Sequence, residues 1–593
     1  MHSKDSRNYR SLSGMNPSRR DFLKLMGKAG GAFLALPLIS SSAAGAASGT
    51  IKPGRVVVRT PERIILRNGL ITDGTGKKAY LGNLLIEESI IKEISRGDIR
   101  TEARELDCTN KVISPGFIDM HSHMDWYLPI NGCSELKTPF TAQGITTFVA
   151  GNCGYGVAAF KKDSSYRDML EVRTGGLFEL KWNTMEEYFS HLHKNGMSHN
   201  LLNLAGHGMT RTSIRGFDAT PLNSDEMKEM LYLLEEAMDQ GACGVSFGLQ
   251  YEPGVFASLD EISQIAELVK KKDKILTVHL KAYSSLSGTY PLKVFGTPHN
   301  LLAIRDMLDI ARQTGVRLQI SHLIFVGSRT WKNYEQALSM IDEAIKQGVD
   351  VKFDTYSYHC GTSIINVFMP EWFLARVPGV YEDKSAMRKL RIEAALILRL
   401  LGFGFEDIQI TYAKHDELNQ FNGMFLSDIA KARGISGFEN FVDFARRSGG
   451  VARVLNHKYS NPEIVEALIR HPASLFMTDA SPASQGVQNP ACYGNFPRFF
   501  QWIRDKNLIS LEDAVYKCSG SSRQRFKIND RGILQKGLAA DITVFDYNSI
   551  RDNNTVTETD KTPSGIAAVF INGKQVVSES DVDGSINAGV VVT

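Results

Sequence analysis

From about residue 113 to residue 480 the chain alternates short, wholly apolar runs with longer segments in which apolar residues recur every three or four positions. A short apolar run suits a strand buried on both faces, and the longer periodic segment suits a helix packed over it by one stripe. Eight such runs occur: Val112 to Ile118, Thr146 to Ala150, Leu201 to Ala205, Gly244 to Phe247, Ile275 to Val278, Val316 to Ile320, Val351 to Asp354 and Ser474 to Met477. Eight strands alternating with helices is the number that closes a (β/α)8 TIM-like barrel, so residues 113–527 are expected to form an α/β domain of that kind.

Helix starts are written into the connecting segments. In Asn223-Ser224-Asp225-Glu226 and Ser258-Leu259-Asp260-Glu261 the first side chain is placed to cap the helix and the glutamate to bond back. Gly241, Gly315 and Gly348 mark helix ends. The spacing is even until the seventh strand, after which about 120 residues pass before the eighth. That is too much for a connector, and residues 366–456 are read as an insertion, a lid on the face where the strands end. Residues 51–112 and 528–593 are rich in β-branched residues and Gly/Asp turns, and are expected to form a small β-sandwich domain from both chain ends.

Charge changes the picture only at the N-terminus. The formal net charge is +3, but residues 1–46 carry seven basic side chains against Asp5 and Asp21, so the remainder is slightly acidic. Nothing there recommends a nucleic acid or an anionic membrane as partner. Ser18-Arg19-Arg20-Asp21-Phe22-Leu23-Lys24, an apolar stretch from Ala29 to Ile39 and small residues from Ser40 to Ser48 read as a twin-arginine signal peptide over residues 1–47. The expectation is a protein exported folded through the twin-arginine (Tat) machinery, periplasmic and outside the membrane once mature. Seven cysteines are few and odd in number, so they make no disulfide framework, and export after folding is compatible with a thiolate and a metal assembled beforehand.

Barrel chemistry gathers where strands end. The first run ends in His121 and His123, which share a face because they are two residues apart. The second leads to Asn152-Cys153-Gly154, the fifth ends at His279, the sixth at His322 and the eighth at Asp479. Singly, each has an ordinary structural reading, as a bonded core histidine, a small buried thiol or a helix cap. Together, four histidines, a cysteine and an aspartate at strand ends define a metal site, and imidazole with thiolate suits Zn2+ rather than Mg2+ or Ca2+. An open zinc position lowers the pKa of water to about 7. Asp479 is then the general base that takes the proton and returns it to a leaving nitrogen, a combination that hydrolyses amides, cyclic amides or esters.

These residues lie within a wider pattern: Pro115 to His123, Gln143 to Thr147 leading to Gly151-Asn152-Cys153-Gly154, Gly206-His207-Gly208, Gly241 to Gly254, Ile320-Ser321-His322, Gly494 to Arg498, and Gly537 to Ile542. In this order they resemble the amidohydrolase superfamily and, within it, the N-acyl-D-amino-acid deacylase (D-aminoacylase) family, over about residue 51 to the end. The resemblance implies a hydrolase of linear amides, with Cys153, His279 and His322 on one tightly held Zn2+. It further implies that His121 and His123 form a second, weaker metal position, that Asp479 is the catalytic base, and that the insertion is a mobile lid.

The family pattern breaks at Asn489-Pro490-Ala491-Cys492, where a carboxylate-binding arginine is expected, and at Ile324, where a lysine is common. Losing an arginine fork weakens the grip on a substrate carboxylate. Altered carboxylate recognition is therefore expected, with Arg211, Arg215 or Lys281 as replacement cations and Tyr251, Tyr356 and Tyr358 as pocket-wall candidates. Two alternatives remain open: a ring-opening hydrolase of the dihydroorotase or hydantoinase kind, and a non-catalytic exported metal-binding protein. The partner is a small-molecule amide; the sequence leaves the oligomeric state open.

Overall fold

The computed structural model describes residues 62–173, 178–250, 252–291, 296–374, 376–483 and 485–593. The signal segment and Tyr251 lie outside the described residues. The chain opens with β1 (Arg63–Ile71), β2 (Tyr80–Glu87), β3 (Ile90–Ser95), β4 (Arg104–Asp107) and β5 (Val112–Pro115). β2 runs antiparallel to β1 and β3 to β2, whereas β4 and β5 lie parallel to β1.

The run read as one strand from Val112 to Ile118 is two. Gly116 separates β5 from β6 (Phe117–Asp119), and its backbone N–H donates to Asp541 O at 2.8 Å. A Cβ at Gly116 would stand 2.3 Å from the Thr146 side chain, so only glycine lets the chain cross between sheets here. β6 pairs in parallel with β7 (Ile145–Ala150), and β7 with β8 (Asn200–Asn203). The run from Leu201 to Ala205 is also divided, because Leu204 turns its N–H to Ala150 O at 2.9 Å before β9 (Ala205–Gly206) begins. β10 (Gly244–Gly248), β11 (Ile275–His279), β12 (Arg317–Ile320) and β13 (Val351–Thr355) follow, all parallel and nearly all buried.

The helix Ser224–Asp239 starts in a full capping box from Asn223 and Glu226. The helix Leu259–Lys271 keeps only half of the expected one. Ser258 accepts the Glu261 N–H, but the Glu261 carboxylate turns inward to His207 Nε2 at 2.7 Å. A buried imidazole outcompetes an exposed backbone N–H for that charge.

Between β13 and the last parallel strand the chain forms its own antiparallel sheet, β14 (Gly361–Ile364), β15 (Ile408–Tyr412) and β16 (Arg453–Asn456), in the order β14-β16-β15. Helices Lys384–Leu401, Leu426–Arg433 and Gly437–Arg447 pack on it around Ile365, Phe373, Leu390, Ile410, Phe441 and Phe444, an apolar cluster separate from the main core. β17 (Ser474–Phe476) then pairs with β13, giving a six-stranded parallel sheet in the order β17-β13-β12-β11-β10-β9. This sheet meets β6-β7-β8 at both edges. Cys243 N–H donates to Asn203 O at 2.8 Å, and beyond β17 Asp479 N–H donates to His121 O at 3.0 Å.

β18 (Ile542–Phe545), β19 (Ile566–Ile571), β20 (Lys574–Ser578) and β21 (Asp581–Val582) return to the first sheet, where β18 pairs with β5 to make nine hydrogen-bonded strands. Ile64, Leu66, Leu84, Ile113, Ile542 and Phe570 fill its core. The final residues run back to β8: Leu201 bridges Val591, and Asn200 Oδ1 accepts from Asn572 Nδ2 at 2.8 Å and Val590 N–H at 3.1 Å. Among the described residues no helix is long and apolar enough to cross a membrane.

Candidate metal centre

The six residues expected to carry chemistry converge at the ends of the parallel strands. Cys153 Sγ lies 3.4 Å from His121 Nε2, 3.5 Å from His322 Nε2 and 3.7 Å from His279 Nδ1. His279 Nδ1 and His322 Nε2 are 2.8 Å apart. Asp479 Oδ1 lies 3.4 Å from His121 Nε2 and 3.7 Å from His123 Nε2. One ligand atom each from His121, Cys153, His322 and Asp479 fits within 4.8 Å. Cys153 thus stands between the His279/His322 pair and His121, and touches both.

The backbone is bent to bring them there. Cys153, His322 and Asp479 have φ of 54°, 29° and 48°, in the left-handed region that non-glycine residues seldom occupy. Such strain persists only where surrounding bonds enforce it, and it gathers at functional sites. At Cys153 the enforcement is steric: a Cβ on neighbouring Gly154 would lie 2.9 Å from Gly248 N, so the turn is pressed against the end of β10. At His322 it is Asp354, which accepts the backbone N–H at 2.6 Å. At Asp479 it is Asp119, which accepts the Thr478 N–H at 2.9 Å and hydroxyl at 2.6 Å.

The electrostatics single out Cys153. Burial pushes the thiols of Cys108, Cys243, Cys360 and Cys492 up to about 12, and all seven cysteines are free. Burial pushes Cys153 up as well, but the His121 charge and hydrogen bonds from His121, His123 and His279 outweigh it and hold this thiol well below its ordinary value. It is the thiolate of the set. Burial and then the charge of His322 bring His279 down to about 4, leaving a neutral ring with a lone pair. Burial raises Asp479, but the His322 charge and a hydrogen bond from His123 reverse this and keep its carboxyl below the usual range.

This donor set fits zinc. A thiolate at 2.3 Å and an imidazole nitrogen at 2.0–2.1 Å on a tetrahedral Zn2+ stand about 3.6 Å apart, and the three sulfur–nitrogen separations straddle that value. The far ring nitrogens have orienting partners too: His279 Nε2 is 3.1 Å from Gln250 Oε1, and His121 Nδ1 is 3.4 Å from Asp354 Oδ1. Cys153 and His121 are buried, whereas the Asp479 side chain is 26% exposed and faces the open side.

Asp354, Gln250, Asp119 and Tyr283 complete the site and were not singled out by the sequence reading. Tyr283 packs its ring 4.8 Å from His279 and 5.0 Å from His322, and its hydroxyl donates to Ser321 O. Asp354 ends the seventh expected strand, and this strand-end position was its signal. Of the pocket-wall candidates, Tyr356 is buried, its hydroxyl has no partner among the described residues, and it lies in the field of Asp479. Tyr358 donates to Asp552 at 2.6 Å. The replacement cations are otherwise engaged. Arg211 is buried, donating to Asp218 O and Thr220 O beside Glu261; Arg215 pairs with Glu226; Lys281 sits over the Tyr290 ring at 5.7 Å.

A family model described as the amidohydrolase family matches residues 400–577. D-aminoacylase from Alcaligenes xylosoxydans xylosoxydans is 26% identical over 536 residues, covering 90% of this chain and 98% of the relative. N-acyl-D-glutamate deacylase from the same organism is 26% identical, covering 87% and 94%. The crystal structure of N-acyl-D-glutamate deacylase from Bordetella bronchiseptica, complexed with zinc and a phosphonate inhibitor, superposes with a TM-score of 0.73 at 26% identity, over 90% of this chain and 100% of that one. The chain thus carries an amidohydrolase-family segment and is homologous along most of its length to D-aminoacylase, which makes it a hydrolase of carbon–nitrogen bonds other than peptide bonds. The homology runs to N-acyl-D-glutamate deacylase as well.

Proposed function

We propose that the protein is a zinc-dependent deacylase of N-acyl amino acids, acting on a linear amide. The frame would be a closed (β/α)8 barrel with a sandwich from both chain ends and the 366–456 segment as its lid. The observation that carries the reading is the Cys153 thiolate within 3.4–3.7 Å of three imidazoles, with the Asp479 carboxylate beside His121 and His123. The D-aminoacylase and N-acyl-D-glutamate deacylase relatives, which cover most of the chain, support the substrate class.

Cys153, His279 and His322 would hold the ion, with His121 and His123 toward a second position; once bound, zinc activates water and polarises the amide carbonyl. The other steps belong to the chain. Asp479, kept ionised by His322 and His123, accepts the proton of the attacking water and delivers it to the leaving amine nitrogen. Tyr356 supplies an unpartnered hydroxyl near that carboxylate, and Tyr283 packs the imidazoles from behind.

Steady-state hydrolysis of N-acetyl amino acids of both hands, N-acyl dipeptides and cyclic amides, with zinc content measured on the same samples, tests this. Turnover of linear N-acyl amino acids that falls with zinc removal is expected. Turnover confined to cyclic amides, or none by zinc-replete protein, would overturn it. For residues 1–47 the reading is a twin-arginine leader, supported by Arg19-Arg20 and the apolar stretch behind them. Replacing both arginines by lysine should strand the folded protein in the cytoplasm on fractionation, and unaltered export would refute the assignment.

A further inference from the structure

An amino-acid product carries a carboxylate, so a deacylase of this class needs a cation within reach of its scissile amide. Arg211 and Arg215 are bonded elsewhere, and Arg498 pairs with Asp552 between the Tyr358 and Trp502 rings. Lys281 lies over the Tyr290 ring at 5.7 Å, and Arg453, like it, has no carboxylate paired with it among the described residues.

Its position is defined by what surrounds it. Arg453 opens β16, with Tyr412 of β15 opposite in register. That edge of the insertion is docked on the loop that leaves Asp479: Tyr412 hydroxyl donates to Gln485 Oε1 at 2.8 Å, and Val487 N–H to Thr411 O at 2.8 Å. From the other side Tyr127, four residues after His123, donates its hydroxyl to Pro482 O at 2.8 Å. The Arg453 guanidinium reaches the Tyr127 hydroxyl and acts on the Cys492 thiol, one residue beyond Ala491. Neither neutralises it, because burial keeps both phenol and thiol protonated. Lys414, two residues past Tyr412, adds a second cation: desolvation, and then the charge of Arg453, depress its ammonium. Two neighbouring cations against the loops that carry His123 and Asp479 favour an anion there.

The geometry points to Arg453, assisted by Lys414, as the subsite that receives the substrate's carboxylate, supplied by the insertion rather than by the helix Ala491–Lys506. This rests on the deacylase reading. It also fits the departure at Asn489-Pro490-Ala491-Cys492: the family's arginine is missing there, and a cation from another element stands over the same stretch. The subsite exists only while the insertion is docked, so substrate charge and lid position are coupled.

The test compares the zinc-loaded protein with R453M, R453K and K414M on an N-acyl-D-amino acid and on the matching N-acyl amine that lacks the carboxylate. R453M should lower kcat/KM on the acid about a hundredfold, through KM, and leave the acyl amine unchanged. R453K should fall between them, and K414M should lose about tenfold on the acid alone. Equal losses on both substrates, or none, would overturn the assignment. Calorimetric binding of the N-acyl-D-amino acid to D479N, with and without R453M, separates the two readings. If the parent hydrolyses no N-acyl amino acid but D479N binds one through Arg453, the deacylase reading falls and the subsite stands. Binding that is absent or indifferent to Arg453 removes the subsite.

Discussion

Asp354 holds His322 in place: its Oδ1 accepts the His322 backbone N–H at 2.6 Å, fixing a residue whose φ is 29°. The same oxygen lies 3.4 Å from Nδ1 of His121, and Oδ2 accepts from Gln319 Nε2 at 2.9 Å. One buried carboxylate therefore fixes the backbone of one site histidine and stands behind the ring of another. Asp354→Asn retains an acceptor for the His322 N–H but removes the charge. Zinc affinity, read by chelator competition, is expected to drop about 10–100-fold while the fold is kept. Unchanged affinity would show that Asp354 serves the backbone alone.

Asp479→Asn separates proton transfer from metal binding. The thiolate and imidazoles remain, so zinc content should match the parent. Loss of the base should lower kcat by about 10²–10⁴. Loss of zinc along with activity would make Asp479 a ligand first and a base second.

Lys517 gives the fold a pH signature remote from the site. Its buried ammonium donates to His471 O, Ser474 O and Ser474 Oγ, and burial, then the charge of Lys352, bring its pKa from 10.5 down to about 8. Between pH 8 and 10.5 the unfolded chain binds the proton that the folded chain has released, so stability rises with pH there, by up to about 3 kcal/mol. Below pH 8 both states are protonated and the contribution is flat. Denaturant unfolding of parent and Lys517→Met across this range should differ by that rise, and parallel curves would refute it.

Gly486 joins the loop after Asp479 to the insertion. Its φ is +83°, and a Cβ there would stand 2.2 Å from Thr411 O. Gly486→Ala should cost about 1–3 kcal/mol of local stability and part the two segments. Hydrogen exchange at the Val487 amide, which bonds to Thr411 O, should accelerate with activity falling alongside. Unchanged protection at Val487 would mean the contact is held elsewhere.

The candidate site was legible because His121, Cys153, His279, His322 and Asp479 interrupt apolar runs where a parallel strand must end. Asp354 and Gln250 lay equally close to strand ends, yet an isolated carboxylate or amide carries no metal signature until its distance to a ring is known. Local pattern also missed the crossing at Gly116, because the choice between sheets is made by Asp541 and Thr146, far off in the chain. Glu261 shows the same limit: its capping motif is complete in sequence, and only the fold reveals His207 waiting for it. The insertion announced itself by length, whereas strands as short as β14 and β16 carry too few residues for a period to show.

β5 pairs along one edge with β18, and β8 is stitched to Val590 and Val591. During synthesis the ribosome releases residues 63 to 115 long before 542 to 591 exist. Through most of translation the first strands must wait with an open edge and β7-β8 without their last fastening. Completing both sheets therefore waits on residues 542–591, and truncation before them should yield aggregates rather than smaller enzymes.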